Sequence, residues 1–113
     1  MSRITTHVLD TGRGVPATGM TVTLQRVDPD GTITTLGVQR TDADGRARGL
    51  LSDGTLTVAR YRLVFDTGAY QREHGGTTFF PTVTIDFDAR DASAHYHVPL
   101  LLSPFGYSTY RGS

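Results

Sequence analysis

Cysteine is absent from the 113 residues, which excludes disulfides, thiolate nucleophiles and Cys-ligated zinc. Tryptophan, lysine and asparagine are also missing, and glutamate occurs once, at Glu73. Straight-chain helix formers are therefore scarce. Neither sign of charge is in excess: Lys+Arg and Asp+Glu each number 11, for a formal net charge of +0. A nucleic-acid binder ordinarily carries a basic surplus, so no nucleic-acid partner is expected. No apolar run approaches the roughly 20 residues that span a bilayer, so no membrane partner is expected either. Met1-Ser2-Arg3-Ile4-Thr5-Thr6-His7 lacks the apolar core of a secretory signal, and the expected location is cytoplasmic. A chain of this length buries one core, and residues 1–113 are read as one domain.

What is present is a β vocabulary: eighteen threonines, thirteen glycines and short alternating segments divided by turn residues. Ile4 to Asp10 reads as an extended strand ended by Thr11-Gly12-Arg13-Gly14 and Pro16. Thr21 to Val27 and Thr32 to Arg40 read as a hairpin across Asp28-Pro29-Asp30-Gly31, where proline sets φ and glycine accepts positive φ. Asp42-Ala43-Asp44-Gly45 is a second turn, leading into Arg46. Arg60 to Thr67 alternates Tyr61, Leu63 and Phe65 against Arg60, Arg62, Val64 and Asp66. Gly68 to Gly75 breaks that alternation and predicts one short helix. Thr82 to Asp88 points Val83, Ile85 and Phe87 inward, and Ala94 to Ser103 and Phe105 to Arg111 supply the last two strands. Seven to eight strands with one helical insertion predict an all-β, two-sheet β-sandwich.

Histidine and arginine carry the candidate chemistry. His95 and His97 lie two apart, so a strand places both on one face. Such a pair can bind zinc if His7 supplies a third ligand, or the two can be ordinary sheet residues. By the same parity His7 shares a face with Thr5 and Leu9. His74 closes the predicted helix, where the helix dipole favours it. Arg46 follows a tight Asp-Gly turn, and its donor fork suits a planar anion. No Ser-His-acid pattern accompanies Ser113, which argues against a serine nucleophile. Spacing alone specifies no reaction.

Three segments together resemble the transthyretin-like family of 5-hydroxyisourate hydrolases. They are Thr5 to Thr11 with Gly14-Val15-Pro16-Ala17, the central Thr41 to Arg46, and His97-Val98-Pro99-Leu100-Leu101-Leu102-Ser103-Pro104 ending in Tyr110-Arg111-Gly112-Ser113. The resemblance runs end to end, and the terminal Tyr-Arg-Gly-Ser is the element that sets the hydrolases apart from the hormone carrier. It implies a transthyretin-like sandwich in which His7, Arg46, His97 and Ser113 are catalytic. His7, Arg46, Tyr110, Arg111, Gly112 and Ser113 would bind substrate, with Arg48 the alternative to Arg46 and His95 a neighbour. It also implies a homotetramer, a dimer of dimers with sites at the dimer–dimer interface, and neither metal nor cofactor.

The implied reaction opens the ring amide of 5-hydroxyisourate, a planar purine-derived substrate of urate catabolism. The product is 2-oxo-4-hydroxy-4-carboxy-5-ureidoimidazoline. Histidine is the side chain suited to taking a proton from water near neutral pH. His97 and His7 would share water activation and proton delivery, while Arg46 meets the developing anion. The competing expectation is a non-enzymatic carrier of a small aromatic ligand. A structural or carbohydrate-binding sandwich is a further rival, weakened by the missing tryptophan.

Overall fold

The structure is a computed structural model and describes residues 2–113. Ten strands and one helix follow in chain order: β1 (Ile4–Asp10), β2 (Val15–Pro16), β3 (Thr21–Val27), β4 (Ile33–Arg40), β5 (Arg46–Ala47), β6 (Ala59–Phe65), α1 (Thr67–Glu73), β7 (Val83–Ala89), β8 (Tyr96–His97), β9 (Leu100–Ser103) and β10 (Gly106–Thr109). Three of the ten, β2, β5 and β8, are only two residues long; β8 lies inside the expected strand Ala94 to Ser103, whereas β2 and β5 are short pairings that periodicity does not reveal. The others match the expected strands.

Two sheets result. One is the antiparallel order β4-β3-β6-β7. The other runs β10-β9-β1-β2, with β5 and β8 also pairing to β1. Within it β1 runs parallel to β8 and β9 and antiparallel to β2 and β5. The core lies between the sheets, as alternation requires. Ile4, Thr6 and Val8 of β1, Val22 and Leu24 of β3, Tyr61, Leu63 and Phe65 of β6, and Leu100 and Leu102 of β9 are all buried. Each such apolar side chain contributes about 1.5–3 kcal/mol by leaving water.

Two expected boundaries change. The segment Ala94 to Ser103 is two strands rather than one, because Pro99 has no N–H to continue the ladder. The Thr6 hydroxyl takes over at the break, donating to the Val98 carbonyl at 2.6 Å. The strand expected to run to Thr67 ends at Phe65, because Asp66 is the helix N-cap and accepts from the Ala69 N–H at 3.2 Å. The helix is tied to β1 where the Tyr70 hydroxyl donates to Asp10 at 2.8 Å. His74 stands exposed at its C-cap, with its ring 4.4 Å from that of Tyr70.

Candidate active site

Strand β1 assembles the site, because its outward-facing residues meet neighbours on both edges. Thr5 pairs with His97 across the parallel β8 ladder, and His7 pairs with Arg46 across the antiparallel β5 ladder. Paired residues share a face, and Thr5 and His7 share one by the period of two. All four side chains therefore stand on the outer face of this sheet, opposite Ile4, Thr6 and Val8. Three of them, Thr5, Arg46 and His97, line a cavity of about 190 Å³ together with Thr6, Arg48, His95 and Ser113, whereas His7 stands beside Arg46 outside that lining.

The arginine is placed by the turn before it. The Asp42 carboxylate accepts from the N–H groups of Asp44 at 2.9 Å and Arg46 at 3.0 Å, and the Gly45 N–H donates to the Asp42 carbonyl at 2.9 Å. Gly45 adopts a φ of +77°, and a Cβ there would sit 2.4 Å from the Val8 carbonyl oxygen. Only glycine lets this turn lie against β1 and deliver Arg46 beside His7. The hydrogen bond from the Arg46 N–H is the largest cause holding the Asp42 carboxyl below its usual range, with the Arg48 and Arg46 charges adding to it. Arg48 lies 3.5 Å from the Asp42 carboxylate, whereas among the described residues the Arg46 guanidinium has no carboxylate partner.

His97 is held on two edges. Its Nδ1 lies 2.8 Å from the Thr5 hydroxyl, and the Gly112 N–H donates to its carbonyl at 2.7 Å. A Cβ on Gly112 would come within 2.6 Å of the His97 Cδ2, so the chain end packs flat against the ring. Nε2 is the ring nitrogen left for the cavity. Burial pushes the His97 imidazole below its ordinary value, and the charges of Arg46, His95 and His7 push it the same way. The half-buried ring is thus kept neutral to lower pH than a free histidine, with a lone pair ready to accept a proton.

The remaining expected residues are placed as follows. His95 is exposed, its ring centroid 6.4 Å from that of His97 and its Nε2 3.2 Å from the Thr5 hydroxyl. Among the described residues no group of three or more His, Asp or Glu side chains is disposed to hold a metal ion. Ser113 lines the cavity and Gly112 abuts it, but Tyr110 and Arg111 do not line it within one chain. They border a second cavity of about 250 Å³ with Ile85, Phe87, Tyr96 and Val98, where the Arg111 guanidinium stands 4.8 Å from the centre of the Tyr96 ring. Thr5 was missed as a site residue. Its parity with His7 was visible, but its neighbour His97 lies 92 positions away. A larger groove, of about 670 Å³, lies at the far end of the other sheet. Its arginines are already paired, Arg26 with Asp28 and Arg60 with Asp88, each at 3.1 Å, and it contains no histidine.

Known proteins are similar to this chain over its whole length. The 5-hydroxyisourate hydrolase of Caulobacter vibrioides is 47% identical over 117 residues, which cover 100% of both chains. The solved 5-hydroxyisourate hydrolase of Klebsiella pneumoniae superposes with a TM-score of 0.83 at 39% identity, covering 97% of this chain and 98% of that one. Sea bream transthyretin in complex with thyroxine superposes with a TM-score of 0.91 at 32% identity, covering 98% and 95%. The hydrolase and the thyroxine-bound transthyretin thus share one backbone, and the fold does not separate them. The sequence model described as the HIUase/Transthyretin family matches residues 4–112, and with identity of this extent the chain belongs to that family.

Proposed function

We propose that this chain hydrolyses 5-hydroxyisourate to 2-oxo-4-hydroxy-4-carboxy-5-ureidoimidazoline, a step of urate catabolism. The observation that carries this is that one cavity on an outer sheet face is lined both by a half-buried His97, whose basicity burial lowers, and by an Arg46 that has no carboxylate partner among the described residues. A simple apolar carrier has no use for that combination. The relatives named as 5-hydroxyisourate hydrolases support it.

In this mechanism the Nε2 of His97 takes a proton from water as the water oxygen attacks the ring amide carbonyl. Arg46 meets the negative charge that develops on the carbonyl oxygen, with paired donors aimed at paired acceptors. The C–N bond then breaks, the ring nitrogen gains a proton and the carboxyl product loses one. His7, the ladder neighbour of Arg46, delivers the proton to the leaving nitrogen in this reading and takes up the one the carboxyl product loses. Ser113 closes the cavity wall and Gly112 sets the ring plane of His97. General-base help of this kind is worth about 10²–10⁴-fold.

The active form we propose is a homotetramer, a dimer of dimers in which the cavity opens into a channel between dimers, with Tyr110 and Arg111 at its rim. The exposed aromatic surface supports assembly. Phe79, Phe105, Tyr107 and Tyr110 are all exposed, and the Phe79 and Phe105 ring centroids lie 6.1 Å apart. Light scattering behind size exclusion is expected to give the tetramer mass at micromolar concentration, and a monomer would refute it.

The test of function is an ultraviolet assay. 5-Hydroxyisourate is generated from urate with urate oxidase, and the loss of its absorbance is followed with and without the protein. Accelerated decay, lost in His97→Asn, is the expected result. Decay no faster than the protein-free control would favour the carrier.

A further inference from the structure

One buried hydroxyl serves two histidines. Thr5 is only 7% exposed, and its Oγ1 lies 2.8 Å from the His97 Nδ1 and 3.2 Å from the His95 Nε2. A hydroxyl has one proton to give, so it donates to one ring and accepts from the other. Two orders are possible, and they give opposite tautomers of His97. If Thr5 donates to His97, Nε2 carries the hydrogen and His97 has no lone pair for the cavity. If Thr5 accepts from His97, Nε2 carries the lone pair.

The surroundings choose between them. Arg46 on β5 is a fixed cation on the cavity side and has no carboxylate partner among the described residues, so it favours a lone pair over an N–H facing it. His7 on β1 and His95 ahead of β8 are the other titratable groups acting on this ring, and Arg48 across the cavity is paired with Asp42. His95 is exposed, so it can accept from Thr5 at Nε2 while its Nδ1–H is served by water. The order that satisfies every group is His97 Nδ1–H to Thr5 and Thr5 O–H to His95.

We propose that Thr5 is a positioning residue, whose hydroxyl accepts from the His97 Nδ1–H and donates to the His95 Nε2, so that the Nε2 lone pair of His97 faces the substrate. This rests on His97 being the base, as proposed above. When that base takes its proton, the Nδ1–H bond to Thr5 becomes charge-assisted and strengthens as the imidazolium forms.

The test is ring ¹⁵N spectroscopy beside kinetics on the full chain. Above the titration of His97, the wild type should show a protonated Nδ1 and an unprotonated Nε2. Thr5→Val keeps the shape and removes the hydroxyl, so Nε2–H should appear and kcat should fall about tenfold, with KM within about twofold. Thr5→Ser should restore the wild-type spectrum and most of the rate. His95→Phe frees the Thr5 proton to turn toward His97, giving a smaller loss in the same direction. A wild-type His97 protonated on Nε2, or Thr5→Val with unchanged kcat and spectrum, would overturn the proposal. The spectrum needs no turnover. Inactive protein with the expected tautomer would defeat the hydrolase reading alone, and active protein with the reverse tautomer would defeat only the role of Thr5.

Discussion

The outer faces of the two sheets use the same side chain in opposite ways. On the β6–β7 ladder each outward arginine stands opposite an aspartate: Arg60 pairs with Asp88 at 3.1 Å, and Arg62 grips both carboxylate oxygens of Asp86 at 2.7 and 3.1 Å. On the β1 face Arg46 stands opposite a histidine, and among the described residues no carboxylate answers it. Charge on the first face is spent within the fold, and the hydrogen bond from Arg62 holds the Asp86 carboxyl below its usual range. Charge on the second is left for a ligand, and it adds to the burial that lowers the basicity of His97. A guanidinium with no carboxylate partner among the described residues, beside an imidazole of lowered basicity, marks a working surface more surely than cavity size does, since a larger groove lies elsewhere.

Substitutions on the two faces should break this contrast or sharpen it. The largest effect is expected for His97→Asn, which should lower kcat by about 10²–10⁴-fold while the thermal transition stays near that of the parent. Full turnover in that variant would remove His97 from the mechanism. Arg46→Gln comes next, with an expected loss of about 10²–10³-fold, the worth of one oriented donor to a transition-state anion. It also carries a pH signature. Because the His97 pKa is lowered, the base stays neutral as pH falls past the ordinary value of about 6.5, and activity is lost only at lower pH. Removing the Arg46 charge should move the acid limb of kcat/KM upward, and a limb that moves down or stays fixed would contradict the coupling. Arg48→Gln should leave both rate and limb close to the parent.

Gly112→Ala is the third case. Its new Cβ would meet the His97 ring at 2.6 Å, and the ring must shift, so turnover should fall by less than the ~10²-fold that a 1 Å misplacement can cost. Unchanged kcat would show that the ring tolerates the shift. The smallest effect belongs to the other sheet. Arg62→Gln should leave kcat and KM unchanged and lower Tm slightly, because its partner Asp86 is solvent-screened. A marked loss of turnover there would erase the distinction between the faces.

Much of the architecture was legible because burial imposes a period. Tyr61, Leu63 and Phe65 alternate with Arg60, Arg62, Val64 and Asp66 and are buried as that pattern requires. The turn at Asp42 to Gly45 announced itself through side chains that satisfy their own backbone. The short strands β2 and β5 were not legible, because a pair of residues has no period. The break at Pro99 was visible as a residue, but the Thr6 hydroxyl that mends it was not. The site divided along the same line. His7, Arg46, His97 and the terminal Tyr110 to Ser113 came from resemblance, whereas Thr5 stood unmarked beside them and Tyr110 and Arg111 fall outside the cavity of a single chain.

By itself the sequence determined the β-sandwich, the positions of its turns and the parity that puts Thr5 and His7 on one face, since all of these follow from local sterics and a period of two. Only the tertiary structure decided that Arg48 rather than Arg46 is paired with Asp42, which nitrogen of His97 meets Thr5 and that two histidines share one hydroxyl. Those facts depend on registers between β1, β5 and β8. These bring together residues 39 and 92 positions apart, Arg46 beside His7 and His97 beside Thr5, and no local pattern encodes such a contact.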